Sequence, residues 1–359
     1  MTYTTPAAIV AISILFPVLG IVVVGLRFYT RRRANVSLWV DDWLTIPALL
    51  LEFIIAALLI WGATTHSLGG QLPSLHTGGP NDYLFSTSDQ QIRLQQIQYF
   101  VDIAAVLSFG SIKLSILFFY RRVFCDSRMT TTVFELVNGG TIALVLVWTT
   151  AFTFGSIFLC GAHPSYAWAT VAVVAEKCHI QTTFLEACAI SDLILDAWIW
   201  SLPLPKIFSL HMTVRRKSAL ATVFLVGLLA IAASATRMAI YIIYVVDAFA
   251  HSDGETIITY LMFWTMIESG LSLIVVCLPA LRPLMAKAPG FSLLDSIRST
   301  LSLRSFSRQQ LIGKDLGQID SFTGTASSKP MHHDGPGHTS EGSIELLPSN
   351  TGSRGAYEV

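Results

Sequence analysis

The sequence predicts an all-α protein: a seven-transmembrane-helix bundle with the N-terminus outside and the C-terminus cytoplasmic. Three observations predict it. Of 359 residues, 53% are hydrophobic and only 13% are charged, about half the roughly 25% charged residues of an ordinary soluble domain. The apolar residues fall in seven long runs, near the roughly 20 residues a helix needs to cross the hydrocarbon core. Basic residues gather in alternate connections, as they do on the cytoplasmic side of membrane proteins. Together these observations exclude a soluble enzyme and the disordered, collagen-like and disulfide-scaffold classes. Net charge is zero, so nothing in the overall charge points to nucleic acid.

The spans follow in order. The first, about 7–26, carries no charge and is followed by Arg27, Arg31, Arg32 and Arg33. It has no basic residue ahead of it, so it reads as a stop-transfer span rather than a cleaved signal peptide. The second, about 43–61, contains Glu52, and the third, about 97–120, contains Asp102 and Lys113. The fourth, about 136–159, is uncharged. The fifth, about 182–202, holds Glu186, Asp192 and Asp196. Arg237 lies in the sixth, about 219–246, and Glu268 in the seventh, about 257–278. Each run exceeds a barrel strand of roughly 10 residues and lacks strand alternation, so each is helical.

The connections orient the bundle. The first carries the four arginines above, the third Arg121, Arg122 and Arg128, and the fifth Lys206, Arg215, Arg216 and Lys217. Arg282 and Lys287 follow the seventh span, whereas the second and fourth connections hold only Arg93 and Lys177. Residues 1–287 form the membrane domain. Residues 288–359 are rich in Ser and Gly and read as a disordered cytoplasmic tail. Phe291 to Ile312 mixes leucines with arginines and reads either as a short helix on the inner leaflet or as further disorder. Ser305 and Ser307 beside Arg304 are weak phosphorylation candidates.

Of the five cysteines, Cys160 and Cys178 are the pair on the outer, oxidising side, so a disulfide is expected between them, pinning the loop that carries Trp168. Cys125 is placed in an inner loop, and Cys188 and Cys277 within spans. The sequon Asn35-Val36-Ser37 falls in the first inner loop, and no glycosylation is expected there. His66, His76, His163, His179 and His251 lie near the outer face in no ligand spacing, so no metal site is expected.

Eight ionisable groups remain inside the spans: the six acids and two bases named above. Such groups normally face the bundle interior. At about 1.5 Å per residue, Lys113 and Asp196 lie at similar depth from the inner side, and Arg237 and Glu268 at similar depth from the outer. Contacts Lys113–Asp196 and Arg237–Glu268 are therefore expected. Asp192 and Asp196 are four apart and share a helix face. Glu52 has no obvious basic partner. These groups read either as a polar pocket, lined by Asp102, Lys113, Asp192, Asp196, Arg237, Trp264 and Glu268, or as pairs that orient the helices. Glu52, Asp192 and Glu268 are the candidate acids for proton-donor chemistry.

The chain also resembles a known family, the fungal rhodopsin-domain integral membrane proteins. The matching pieces occur in order: Arg27-x3-Arg31, Asp41-Asp42-Trp43, Gly69-Gly70 with His76, and the run from Lys113 to Phe124. They continue through Cys160, Trp168 and Cys178, Ser191-Asp192, Leu202 to Ile207, Arg215 to Lys217, Phe224 and Gly227. The last are Arg237, Trp264 with Glu268, and Cys277 to Pro283. The match covers roughly residues 10–287. Adjacent Gly69 and Gly70 depart from the usual Gly-x-Gly of the first outer loop. The resemblance implies a receptor-like protein sensing a lipophilic or surface cue, or one serving a secondary-metabolite pathway. Its partners would be the lipid bilayer, a small lipophilic ligand or substrate, and a cytoplasmic signalling protein. A retinal imine needs a lysine in the seventh span, and 257–278 has none, so no cofactor is expected. The third span ends Phe119-Tyr120-Arg121 and the seventh lacks Asn-Pro-x-x-Tyr, so coupling as in animal receptors rests on span count alone. The competing reading is a membrane-embedded cyclase or isomerase using intramembrane acids. A transporter fits less well, since no inverted repeat is visible.

Overall fold

The structure is a computed structural model, and it describes residues 5–69, 88–124, 133–205, 214–242 and 254–285. Among them every regular element is helical. The helices are α1 (Pro6–Arg33), α2 (Val40–Trp43), α3 (Thr45–Thr64), α4 (Asp89–Phe124) and α5 (Val133–Ile157). After a 3-10 turn at Pro164–Trp168 come α6 (Val171–Lys177), α7 (Gln181–Ser201), α8 (Val214–Ile240) and α9 (Gly254–Met285). Five segments are long and apolar enough to cross a membrane: 6–33, 40–64, 89–123, 133–157 and 256–281. The tail expected over 288–359, with Gly70, His76, Cys125, Lys206 and His251, lies outside the described residues.

The observed helices run past the expected spans wherever polar groups find partners. Thr5 Oγ1 accepts from the Ala8 N–H and Pro6 opens the first turn, so α1 starts on a capped end. It then continues through Arg27 to Arg33, where three arginines in the last turn suit the negative end of the helix dipole. The second span divides into α2 and α3 at Leu44. Asp42 in α2 turns back to accept the Trp39 N–H at 3.3 Å, and Thr45 Oγ1 donates to the Asp42 carbonyl at 2.7 Å. α4 begins at Asp89 rather than near 97. Ser88 and Gln91 form a reciprocal capping box, each side chain accepting from the other's backbone N–H. The polar stretch that follows still buries Leu94 and Ile97. α9 continues past Pro279 to Met285. Pro279 removes the donor for the Val275 carbonyl, and Arg27 supports the adjoining turn by donating to Val276 O at 2.6 Å.

α4 is the central helix. It packs against α2, α3, α5 and α9 and is largely buried, whereas α5 lies at the periphery. α1 packs on α3 and α9, and α8 bridges α7 to α9. Glycines permit close approach: Gly110 of α4 receives the side chain of Thr149 from α5, and Gly270 of α9 receives Phe16 from α1. One apolar cluster lies between α1, α3, α4 and α9 around Ile55, Leu59, Ile97 and Met266. A second, around Val24, Ala48, Ile112 and Leu273, lies toward the α1 C-terminus. Lipid is as apolar as leucine, so such packing gains contact but little hydrophobic free energy. The buried polar contacts therefore carry much of the specificity of helix association.

Candidate functional site

Five of the eight ionisable groups in the expected spans form one network across four helices. Lys113 on α4 donates to Asp196 and lies 3.2 Å from Asp192 Oδ1, both on α7. Arg237 on α8 donates through Nη2 to Asp192 Oδ2 at 3.1 Å. Its Nε lies 2.6 Å from Glu268 Oε2 on α9, an ion pair at an angle poor for a hydrogen bond. Asp192 is thus the node, one oxygen facing each base. The i, i+4 spacing of Asp192 and Asp196 brings both within reach of Lys113. Between the two bases stands the Phe109 ring, its centre 5.8 Å from Lys113 Nζ and 5.1 Å from Arg237 Cζ. One residue along α4 and α9, the Ser108 and Ser269 hydroxyls pair at 3.3 Å. On the other side, Trp148 Nε1 of α5 donates to Ser191 Oγ at 2.8 Å, fixing α7 beside the node.

Both expected pairs are present, but the pairing is not one to one. Asp192, read from the sequence as a face-mate of Asp196, links both bases. It is fully buried, as is Glu268, while the Asp196 and Arg237 side chains retain 20% and 13% exposure. Oxygens of Asp192, Asp196 and Glu268 lie within 4.8 Å of one another, close enough for a metal ion. The same oxygens already face Lys113 and Arg237, so the cluster is an ion-pair network.

The remaining sequence candidates make no hydrogen bond or ion pair with the node. Asp102 is half-buried on α4, eleven residues N-terminal to Lys113, with no hydrogen bond or ion pair among the described residues. Trp264 sits one turn N-terminal to Glu268; its Nε1 is buried with no hydrogen-bond partner among the described residues. Its ring packs edge-on to Tyr260 and Phe263. Glu52 on α3 is fully buried, and neither of its oxygens has a partner among the described residues. It faces α1, where a Cβ on Gly20 would lie 3.4 Å from Oε2. The three candidate acids are therefore not assembled as one site.

A second network, at the C-terminal end of α1, was not anticipated as a set of contacts. Arg27, fully buried, donates to Asp41 Oδ2 and Asp42 Oδ1, each at 2.8 Å. Arg31, one turn on, reaches the same two oxygens at 3.1 and 3.3 Å. Arg122 at the end of α4 lies 3.3 Å from Asp41 Oδ1 and 3.5 Å from Asp42 Oδ2, and donates to Ser37 O at 2.7 Å. Ser115 Oγ donates to the Asp41 carbonyl at 2.6 Å. The signal was in the sequence: arginines four apart lie on one helix face, and adjacent aspartates follow a short loop later.

At the opposite end, Cys160 and Cys178 form the expected disulfide, with Cα atoms 4.7 Å apart. It closes the loop that holds the 3-10 turn and α6. Trp168 in that loop packs edge-on against Tyr99 of α4, and Tyr99 Oη donates to Ile157 O at 3.1 Å.

Known proteins give the setting. Residues 26–287 match the fungal rhodopsin domain. The chain is 27% identical over 293 residues to "Phomoidride biosynthesis cluster protein H" of Fungal sp. (strain ATCC 74256), covering 77% of this chain and 88% of that one. It is 25% identical to "Polyenoic acids biosynthesis gene cluster protein Ba17b" of Metarhizium anisopliae, covering 79% and 75%. It is 26% identical to "Receptor GIN3" of Arthrobotrys oligospora, covering 77% of this chain and 62% of that one. No solved structure matches. With the match extending over most of the chain, the protein belongs to the fungal rhodopsin domain family, as a membrane protein.

Proposed function

We propose that this protein is a receptor-like, seven-span membrane protein in which the Lys113–Asp192–Arg237 network is the element a ligand biases. Its spans include 182–202 and 219–246, with the N-terminus outside and the C-terminus cytoplasmic. The observation that carries the reading is the sharing of Asp192 between bases on two helices. Lys113 and Arg237 each have a second carboxylate available, in Asp196 and Glu268. A small helix shift can therefore exchange partners without stranding either base, which is what a two-state element requires. Asp102 and Trp264, outward of the node with unused polar atoms, are the ligand-facing groups. The ligand is a small lipophilic molecule that reaches them from the outer half of the bundle. No retinal is proposed, because α9 carries no lysine. The relative named as a receptor and those named for biosynthesis clusters support a role in sensing a metabolite.

One observation favours a second reading. Glu52 is a buried acid without a basic partner, the state a proton donor of a membrane-embedded cyclase would need. The two readings separate in a fungal host expressing the chain and supplied with a candidate lipophilic precursor. On the receptor reading, the transcriptional response to the compound changes with Asp192→Asn while the products stay the same. A new cyclised product that disappears with Glu52→Gln would replace that reading with the enzyme.

A further inference from the structure

The surface around the second network carries more positive charge than its aspartates use. Arg27, Arg31, Arg32, Arg33, Arg121 and Arg122 converge there against Asp41 and Asp42, six charges to two. Arg27 is consumed inside. Arg31 and Arg122 reach the carboxylates from the edge, their side chains 12% and 17% exposed. Arg32, Arg33 and Arg121 are exposed and meet no carboxylate among the described residues. Among the described residues, Arg33 makes one side-chain bond, from Nη1 to Tyr29 Oη at 3.2 Å.

Aromatic groups stand at the same level. Tyr29, Trp39 and Trp43 are 52%, 46% and 59% exposed. Trp39 lies under the Arg122 guanidinium at 5.9 Å, and Trp43 packs edge-on to Phe28. Half-exposed tryptophan and tyrosine suit the headgroup level of a bilayer, where an apolar ring and a polar edge are both satisfied. Unpaired guanidinium forks beside them match phosphate oxygens.

We propose that this rim, formed by the ends of α1 and α4 with α2, binds the headgroup of an anionic phospholipid. Arg32 and Arg33 supply the phosphate contacts, and Trp39 and Trp43 fix the depth. Under the orientation proposed above, the rim lies in the cytoplasmic leaflet, the anionic one. The Arg27–Asp41–Asp42 core sets α2 against α1, so it holds the aromatic anchors beside the free arginines. The binding depends on neither the receptor nor the enzyme reading.

The test uses the purified full chain in detergent, with phosphatidylserine or phosphatidylcholine added and bound lipid counted by native mass spectrometry. The expected result is preferential retention of phosphatidylserine, weakening as salt rises. Each arginine near an anionic surface contributes a factor of about five, so R32Q/R33Q is expected to weaken phosphatidylserine binding roughly twenty-five-fold. Neither side chain has a carboxylate partner among the described residues, so the double variant should fold. Arg93→Gln, at the other end of α4, removes charge away from the rim and should leave binding unchanged. Equal retention of the two lipids overturns the proposal. So does unchanged phosphatidylserine binding in R32Q/R33Q, or equal loss in Arg93→Gln. An acidic protein segment, the other occupant this charge suits, would give no lipid preference in the purified chain and so also overturns it.

Discussion

The two buried networks solve the same problem with opposite surpluses. Around Asp41 and Asp42, three arginines serve two carboxylates, a net charge of +1. Around Asp192, two bases serve three carboxylates, a net charge of −1. In the first, every aspartate oxygen meets at least one guanidinium, and Arg27 and both acids are fully buried. Its members are mostly near neighbours in the chain. In the second, the members span 155 positions from Lys113 to Glu268, and its edges at Asp196 and Arg237 are partly open. Saturated and local, the first network holds α1, α2 and α4 in one arrangement. Long-range and with an acid to spare, the second can exchange partners. The difference makes the first network the clamp and, on the receptor reading proposed above, the second the switch.

Breaking the clamp should have the largest effect. Arg27→Ala leaves Asp41 and Asp42 buried with fewer donors and frees the Val276 carbonyl. Removing one partner from a buried ion pair costs roughly 3–5 kcal/mol. The expected outcome is little or no folded protein, read as the monodisperse fraction in detergent size exclusion. Arg27→Lys should not rescue it, because an ammonium cannot reproduce three donations from one planar fork. Recovery with lysine would show that charge alone suffices.

Breaking the switch should be survivable when both partners go. Arg237→Met strands Glu268 and should lower the unfolding midpoint strongly, whereas R237M/E268M should recover most of the loss, since apolar replacement of a buried pair is often neutral. Thermal unfolding of the two variants checks this. The charge swap K113D/D196K should not recover stability, although a simple Lys113–Asp196 pair would allow it. The new aspartate at 113 would face Asp192. Recovery by the swap would remove Asp192 from its place as node.

Much of this was legible in the residues, and the gaps have physical causes. Depth along a helix is linear in sequence, so counting residues paired Lys113 with Asp196 and Arg237 with Glu268. Rotation about each helix axis is set by packing, so Asp192 could not be recognised as the link between them. The expected spans are shorter than α1, α4 and α9 because hydrophobicity marks the membrane rather than the helix. Ser88 with Gln91 caps the N-terminal extension of α4, and Asp41 with Asp42 neutralises the C-terminal extension of α1. In the sequence Arg27 and Arg31 read as topology marks, since arginines after a span usually mark its cytoplasmic end. Their partners lie beyond a turn, and only the fold brings them back.

A smaller effect should come from the neutral link between α4 and α9. Ser108→Ala removes the hydroxyl pair to Ser269 without stranding a charge. Hydrogen bonds between membrane helices average roughly 0.6 kcal/mol, so the unfolding midpoint should fall slightly and additively with Arg237→Met. Strong non-additivity in the double-mutant cycle would make the serines part of the switch.

The smallest effect belongs to an ion pair outside both networks. Lys177 Nζ lies 2.8 Å from Glu176 Oε1 on α6, with both side chains exposed. Its hydrogen bond to Lys177 holds the Glu176 carboxyl below its usual range, and the same bond raises the Lys177 ammonium. A lowered carboxyl favours the folded state above the ordinary glutamate value and loses that contribution as pH falls through the lowered one. The raised ammonium acts in the opposite sense, losing its contribution only as pH rises through its own raised value. Between the two windows both contributions are present, yet water competes for both groups and exposed pairs contribute little. Lys177→Gln should therefore leave the unfolding midpoint unchanged near neutral pH and across the acid limb. A shift as large as that of Ser108→Ala would mean that the disulfide-closed loop presses this pair against the bundle, and the division between buried networks and solvated charge would have to be redrawn there.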